Sequence, residues 1–338
     1  MFFSYNLYMN FLITGSFGLV GLTTSLHFLK KGNVVYGIDN SMRQQLFGSE
    51  GKTDVNARFL LGKKNYHHYR LDIRKRESIF SLFKSQNFDV IIHTAAQPSH
   101  EKSREIPLVD FNINTVGTLN LLEATRKYSN KAVFIFTCSN KVYGDNPNKM
   151  ELVEKNSRFD FADQNFMGFD ESTSVDNCLH SLFGASKLAA DIYVQEYGKN
   201  YGLKTTVLRL GCVTGSYHSG LKLHGFLSFL IKSLVQKKRY EVIGYRGKQV
   251  RDQIHALDLT SAFEAIIKAP SVGLVYNLGG GRGNSASVLE LIEILSEELK
   301  IKPQINYVSK ARLGDHICYI TDNTKFKKNI LNGKLRKI

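Results

Sequence analysis

The chain has 338 residues, 43% of them hydrophobic and 22% charged. That is enough for one large or two modest domains around a sizeable core, and it argues against a peptide, a disulfide-stapled miniprotein or a repeat array. Lys and Arg number 45 against 30 Asp and Glu, a net +15 that suits an anionic partner. The lysines are scattered, however, and no sustained basic arm, zinc-finger or RNA-recognition signature occurs, so the excess reads as a solvated surface and no nucleic-acid partner is predicted. Cysteines 138, 178, 212 and 318 lack the paired spacing of zinc or iron–sulfur sites. Reduced thiols, no metal and a cytoplasmic location are predicted.

The N-terminal stretch is apolar, but no Lys or Arg precedes it and a glycine motif interrupts it at Gly15, which predicts neither a signal peptide nor a membrane anchor. If Met9 is the start, the strand Asn10–Thr14 opens the protein and residues 1 to 8 are an extension. Apolar runs FLIT (11–14), VVYGID (34–39), VIIHTAA (90–96), VFIFTC (133–138) and TTVLRL (205–210) alternate with helical-period segments. Such runs are buried parallel strands joined by helical crossovers. A third strand is predicted to close at Asp72-Ile73, and the helix after the fourth strand, Asn114 to Ala124, carries apolar positions three and four apart. After residue 211 the pattern turns irregular, with GYRGKQVRDQIH (244–255) and NLGGGRGNSASV (277–288), which predicts a covering region and no further independent domain. The last sixteen residues, with Lys325, Lys327, Lys328, Lys334, Arg336 and Lys337, read as a frayed basic tail. The fold class predicted is α/β, a Rossmann-type doubly wound parallel sheet with a smaller C-terminal substrate-binding region.

Gly15-Ser-Phe-Gly18-Leu-Val-Gly21 follows the first strand directly and opens a helix. The first glycines allow a tight turn against a pyrophosphate, the last allows close helix–strand packing, and the helix N-terminus favours the anion. Asp39 ends the second strand where a carboxylate meets the adenosine ribose hydroxyls and repels a 2′-phosphate, which favours NAD over NADP. Asp72 and Ile73 are candidate adenine contacts. Ligands of open α/β sheets bind beyond the carboxyl ends of the strands. That singles out Ala95-Ala96-Gln97-Pro98-Ser99-His100, Ser139-Asn140-Lys141-Val142-Tyr143-Gly144, and Phe183-Gly184-Ala185-Ser186-Lys187 on a later helix.

In order and spacing, GSFGLVG, IDN, HTAA, NTVGTLNLLEA, SNKVYG, KQVRDQIHALDL, YNLGG and RLGDH make the chain resemble, over nearly its whole length, the extended short-chain dehydrogenase/reductase family of nucleotide-sugar epimerases and dehydratases. Within that family the CDP-tyvelose (CDP-paratose) 2-epimerases are most similar, in NKVYGD, in GKQVRD-x-x-H-x-x-D and in the DES before the later helix. The resemblance implies a tightly held NAD that takes a hydride from a sugar carbon, a ketone that rotates, and return of the hydride to the other face. It implies residues 1–210 and 249–268 for NAD and 211–248 and 269–338 for the nucleotide sugar. Phe17, Leu19, Asn40, Ala95, Ala96, Asn114 and Lys187 join Gly15, Gly18, Gly21, Asp39, Asp72 and Ile73 as implied cofactor contacts.

The family's active-site hydroxyl maps onto Ser139, and its helix lysine onto Lys187, which lowers a neighbouring proton's pKa electrostatically. Where family dehydratases carry an Asp-Glu pair this chain has Asn140-Lys141, so water loss lacks its acid and base. Where the YxxxK pattern places a tyrosine this chain has Phe183, which transfers no proton. Three readings stay open: another group does that work (Cys178, His180, Tyr143 or a water held by Ser139), the reaction differs, or catalysis is lost and binding kept. Arg251 and Arg312 map onto pyrophosphate-binding arginines, and Cys212 stands for a substrate-side asparagine. Gln97, Ser99, Asn140, His224 and Asn277 complete the implied substrate set. Residues 215 to 226 are expected to close over the ligand, with His218 and His224 near phosphate or ribose. Helices 114–127 and 183–199 are the implied homodimer pair. A dehydratase or reductase, or a non-catalytic sensor of NAD and nucleotide sugar, are the alternatives.

Overall fold

The computed structural model describes residues 8–312 and 314–330. Residues 1–7, most of the expected extension, and residues 331–338 of the expected tail lie outside the described residues. Seven strands form one parallel sheet: β1 (Asn10–Thr14), β2 (Val34–Ile38), β3 (Tyr66–Tyr69), β4 (Val90–His93), β5 (Val133–Ser139), β6 (Lys204–Leu210) and β7 (Leu274–Leu278), in the order β7-β6-β5-β4-β1-β2-β3. The strands are apolar on both faces because both faces are covered. Leu12, Ile91, Phe134 and Phe136 enter one core, while Phe11, Ile13, Val90, Ile92 and Ile135 enter the other. Helices Gly117–Tyr128 and Leu182–Tyr201 cover the first face, through Leu121, Ala190 and Val194; helices Leu19–Lys30 and Ala256–Lys268 cover the second, through Leu22, Phe28 and Phe263. The chain reverses its direction of travel across the sheet between β1 and β4, and a crevice opens at their carboxyl ends.

Several boundaries differ from the sequence expectation. β3 ends at Tyr69, three residues before Asp72. β4 ends at His93, because the Thr14 hydroxyl accepts the amides of Thr94 (3.2 Å) and Ala95 (3.1 Å) and draws the chain out of the ladder. The helix around Asn114 contains a π-helical turn, Asn112–Val116. β7, assigned above to the substrate region, is the edge strand of the main sheet and pairs with β6. Its run carries Asn277 amid apolar residues, and that amide is satisfied inside, with Nδ2 donating to the Phe169 carbonyl and Oδ1 accepting the Tyr143 hydroxyl. Conversely Val250–His255 leaves the main sheet and pairs with Cys212–Thr214, Ser285–Ser287 and Cys318–Tyr319. The start of the expected frayed tail is a helix, Thr324–Ile330, docked by the fully buried Phe326 against Tyr276.

A third, smaller core of Leu230, Leu234, Tyr240, Val242, Val288 and Ile292 lies beneath the parallel pair Tyr240–Ile243 and Ile305–Val308. All four cysteines are unpaired thiols, and among the described residues no helix is long and apolar enough to cross a membrane. The main sheet is tied to the helix Leu182–Tyr201 by a buried ion pair in which Arg209 Nε donates to Asp191 Oδ2 at 2.8 Å, while Arg209 NH1 donates to the Tyr143 hydroxyl. Removing one partner strands the other charge in a dry site, so Asp191→Leu should cost about 3–5 kcal/mol, read as a lowered urea midpoint at unchanged slope; an unchanged midpoint would contradict this role.

Candidate active site

A cavity of about 670 Å³ occupies the crevice and extends under the smaller lobe. Gly15 (φ +68°) and Gly18 line its floor, and a Cβ at Gly15 would stand 3.0 Å from the Ala95 backbone. A Cβ at Gly21 would overlap the Gly15 carbonyl, so this glycine is required for packing and does not itself reach the cavity. Helix Leu19–Lys30 starts here with no side-chain cap and no acid in its first turn, which leaves its positive end open to an anion. Asp39 braces the loop by accepting the Phe17 amide (3.0 Å) and also accepts the Ser41 amide (2.8 Å); burial pushes its carboxyl up. Leu19, Asn40, Asp72, Ile73, Ala95 and Ala96 stand on the same wall, Asp72 held bidentately by Arg74. This cradle fits a dinucleotide pyrophosphate with an adenosine ribose on Asp39.

At the centre, Ser139 ends β5 and its Oγ accepts the Lys141 amide at 3.1 Å. Lys187 is buried, donates Nζ to the Thr137 carbonyl at 2.9 Å and lies 4.0 Å from the centre of the Phe136 ring; burial lowers its pKa. Phe183 lines the same wall one turn earlier. On the substrate side stand Asn140, Cys212, His224, Arg251 and Arg312. Asp315 accepts from Arg251 NH2 at 2.6 Å and from Lys141 Nζ at 3.1 Å, and these two cations hold its carboxyl well below the usual range against the opposing push of burial. Arg312 pairs with Glu101 at 2.6 Å. Residues 215 to 226 cross from the cofactor side, where Asn56 Nδ2 donates to the Phe17 and Tyr217 carbonyls and Arg43 Nη2 to the Ser219 carbonyl, to the substrate side, where Arg312 Nη2 donates to the Lys222 carbonyl. His218 and His224 meet edge-on in this flap, and burial pushes His218 down to about 4.

Other expected contacts stand behind the wall. The Phe17 ring stacks on His68 at 4.6 Å. Gln97 and Asn114 are spent in a buried network, both donating to Asp110 Oδ1, while Ser186 Oγ donates to Asp110 Oδ2 at 2.5 Å. Ser99 closes the turn by accepting the Lys102 amide. Asn277 is consumed by Tyr143 and Phe169, as above. Of the four substitutes considered for the missing tyrosine, Tyr143 is bound to Arg209 and Asn277, and Cys178 and His180 point at the Val175 carbonyl; none of these three lines the cavity, and Ser139 does. The sequence reading missed Arg43 and the strand Tyr240–Ile243, which line it, and named His100 and Asp315, which also line it, only within the run beyond β4 and the RLGDH motif, with no role of their own. Among the described residues no cluster of His, Cys, Asp or Glu has metal-binding geometry.

Comparison with known proteins agrees with this architecture. The chain is 33% identical over 324 residues to CDP-paratose 2-epimerase of Salmonella typhi, spanning 94% of this chain and 92% of that protein. In structure it is similar to UDP-glucose 4-epimerase of Thermotoga maritima with UDP-glucose (TM-score 0.78, 26% identity, 98% and 94% of the two chains). It is also similar to the NAD complex of UDP-glucose 4-epimerase of Thermus thermophilus (TM-score 0.75, 25% identity, 98% and 94%). The profile of the NAD dependent epimerase/dehydratase family matches residues 11–279, and the chain belongs to that family.

Proposed function

We propose that the protein is an NAD-dependent nucleotide-sugar epimerase that inverts carbon 2 of a CDP-linked deoxyhexose. The observation that carries the reading is one continuous cavity, in which the Gly15–Leu19 anion cradle meets a cation-rich half at the wall of Ser139 and Lys187. The similarity to CDP-paratose 2-epimerase supports the choice of nucleotide and carbon. Bound NAD supplies a hydride acceptor that becomes the donor for the return step.

The protein's own groups do the rest. Asp39 receives the ribose hydroxyls and disfavours a 2′-phosphate. Lys187, fixed by Thr137, stabilises negative charge developing on oxygen in a dry wall, where a cation acts more strongly than in water. Ser139 holds the reacting hydroxyl. Arg251 and Arg312 line the cavity and bring positive charge to the diphosphate, Arg251 held by Asp315 and the Val250 and His316 carbonyls and Arg312 by Glu101 and the Lys222 carbonyl. The substrate set is reduced to the residues on the wall, namely Asn140, Cys212, His224, Arg251 and Arg312, and the cofactor set to Gly15, Gly18, Leu19, Asp39, Asn40, Asp72, Ile73, Ala95, Ala96 and Lys187, with Gly21 and Phe17 behind the cradle. A dehydratase is disfavoured because Asn140 cannot exchange a proton and Lys141 is tied to Asp315. A reductase or a sensor would exchange its ligands, whereas a hydride that returns to its own substrate needs no cofactor exchange.

A homodimer is proposed through helices Gly117–Tyr128 and Leu182–Tyr201, the second of which leaves Leu182, Ile192 and Tyr193 exposed beside Leu108 and Phe111 of the helix Pro107–Phe111. The unpaired thiols suit the cytoplasm.

Purified protein mixed with CDP-paratose and no added NAD should change the ring-proton couplings at carbon 2 in NMR, while UDP, GDP and dTDP sugars stay unchanged. Absence of any inversion, with NAD bound and CDP-paratose binding saturably, would overturn the epimerase reading in favour of the sensor. Lys187→Met should lower kcat by about a hundredfold or more and weaken NAD retention, with the thermal midpoint near wild type. Turnover within about threefold of wild type would remove Lys187 from the mechanism.

A further inference from the structure

Oxidising a sugar carbinol releases a proton as the C–H pair departs, and Phe183 has no group to take it. The wall around Phe183 contains few replacements. Ser139 is a hydroxyl that itself needs a base. Lys141 is an ammonium held by the Asp315 carboxylate and the Gly314 carbonyl. Cys138 donates to the Lys187 carbonyl, and burial pushes its thiol up to about 12 and that of Cys212 to about 11.

His100 is different. It lies on the turn after β4, lines the cavity, and is fixed beside Phe183 by one hydroxyl: Ser103 Oγ donates to the His100 carbonyl at 2.8 Å and accepts the Phe183 amide at 3.1 Å. Its Nε2 is buried against Gly314 and has no hydrogen-bond partner among the described residues. A buried imidazole nitrogen without a partner is costly unless a ligand or water completes it. The charged groups facing the ring are Lys141, Arg312 and Arg104, with Asp315 opposing them; burial first and then Lys141 push the imidazole down to about 4. The ring is therefore neutral at working pH with one nitrogen unprotonated, and the same cations weaken it as a proton acceptor until an anionic substrate offsets them.

We infer that His100 is the proton carrier that stands in for the missing tyrosine. The inference rests on the epimerase reading above. In the forward step the sugar O–H bond breaks and its proton passes, directly or through one water, to the bare imidazole nitrogen; the C–H electron pair leaves as hydride to the bound NAD, and the C=O bond forms. In the return step the imidazolium gives the same proton back as hydride re-adds to the opposite face, so the net change is inversion alone. Lys141 and Arg312, both cationic, favour loss of the proton from the sugar hydroxyl and its return from the imidazolium, and Asp315 opposes them at the ring.

The test uses the full chain with its bound NAD and CDP-paratose. His100→Ala and His100→Gln should each lose at least a hundredfold in kcat, with NAD content by absorbance and CDP-paratose affinity by calorimetry within about threefold of wild type. Added imidazole should restore part of the His100→Ala turnover, which a packing role would not allow. Phe183→Tyr placed on His100→Ala should return activity to within about tenfold of wild type, since it supplies the hydroxyl anew. If both His100 variants keep a third or more of the turnover, or if His100→Ala responds neither to imidazole nor to Phe183→Tyr, the inference falls and the epimerase reading stands. If wild-type protein inverts no CDP-deoxyhexose at all, the reading falls and takes this inference with it.

Discussion

One carboxylate joins the two parts of this molecule. Asp315 lies between the strands Ile305–Val308 and Cys318–Tyr319, and it accepts from Arg251 of the smaller lobe and from Lys141, just beyond β5 of the main sheet. Two cations in a partly dry site repel unless an anion lies between them, and an anion there is stable only because both cations satisfy it. Asp315 therefore ties the part of the cavity wall that follows β5 to the part the lobe contributes, and the same contact holds the Arg251 guanidinium. The main sheet makes the floor, the lobe makes the roof, and Asp315 sets their register.

The same arrangement governs the chemistry available. With Lys141, Arg251, Arg312 and Lys187 all on one wall, the cavity is tuned for a substrate that brings its own negative charge and for a reaction that develops more of it on oxygen. In such a field Asp315 is held as a fixed anion and His100 as a neutral imidazole, whose proton affinity rises when an anionic substrate offsets the cations around it. The substitution of Phe183 for a tyrosine then removes one hydroxyl without emptying the site of proton chemistry. It also keeps the wall next to Lys187 apolar, where the ammonium already rests on the Phe136 ring.

What could be read from the sequence was local. The turn from Gly15 to Gly21 and the carboxylate of Asp39 lie within one strand–helix–strand unit, so spacing alone places them, and the continuous apolar runs of β1, β4, β5 and β6 announce strands buried on both faces. Ser139 and Lys187 were legible through family likeness, and the structure brings both to the cavity wall. What failed was non-local. Gln97, Ser99 and Asn277 stand at strand ends, where a polar side chain can face either the crevice or the interior, and here partners far along the chain, Asp110 for Gln97 and Tyr143 for Asn277, draw them inward. β7 escaped because its buried asparagine interrupts the apolar run. His100 and Asp315 lie in segments the sequence singled out, but their placement depends on distant partners, the Phe183 amide through Ser103 and the Lys141 ammonium, as that of Arg43 depends on Ser219, and no local pattern encodes those contacts.

In the proposed reaction the hydride leaves one face of the sugar and comes back to the other without meeting solvent. CDP-paratose deuterated at carbon 2 tests it most directly, with the product examined by mass spectrometry and NMR after turnover in ordinary water. The account predicts that deuterium is retained at carbon 2 of the inverted product. Replacement of the label by solvent hydrogen would contradict it, because inversion would then proceed by removing a proton from carbon.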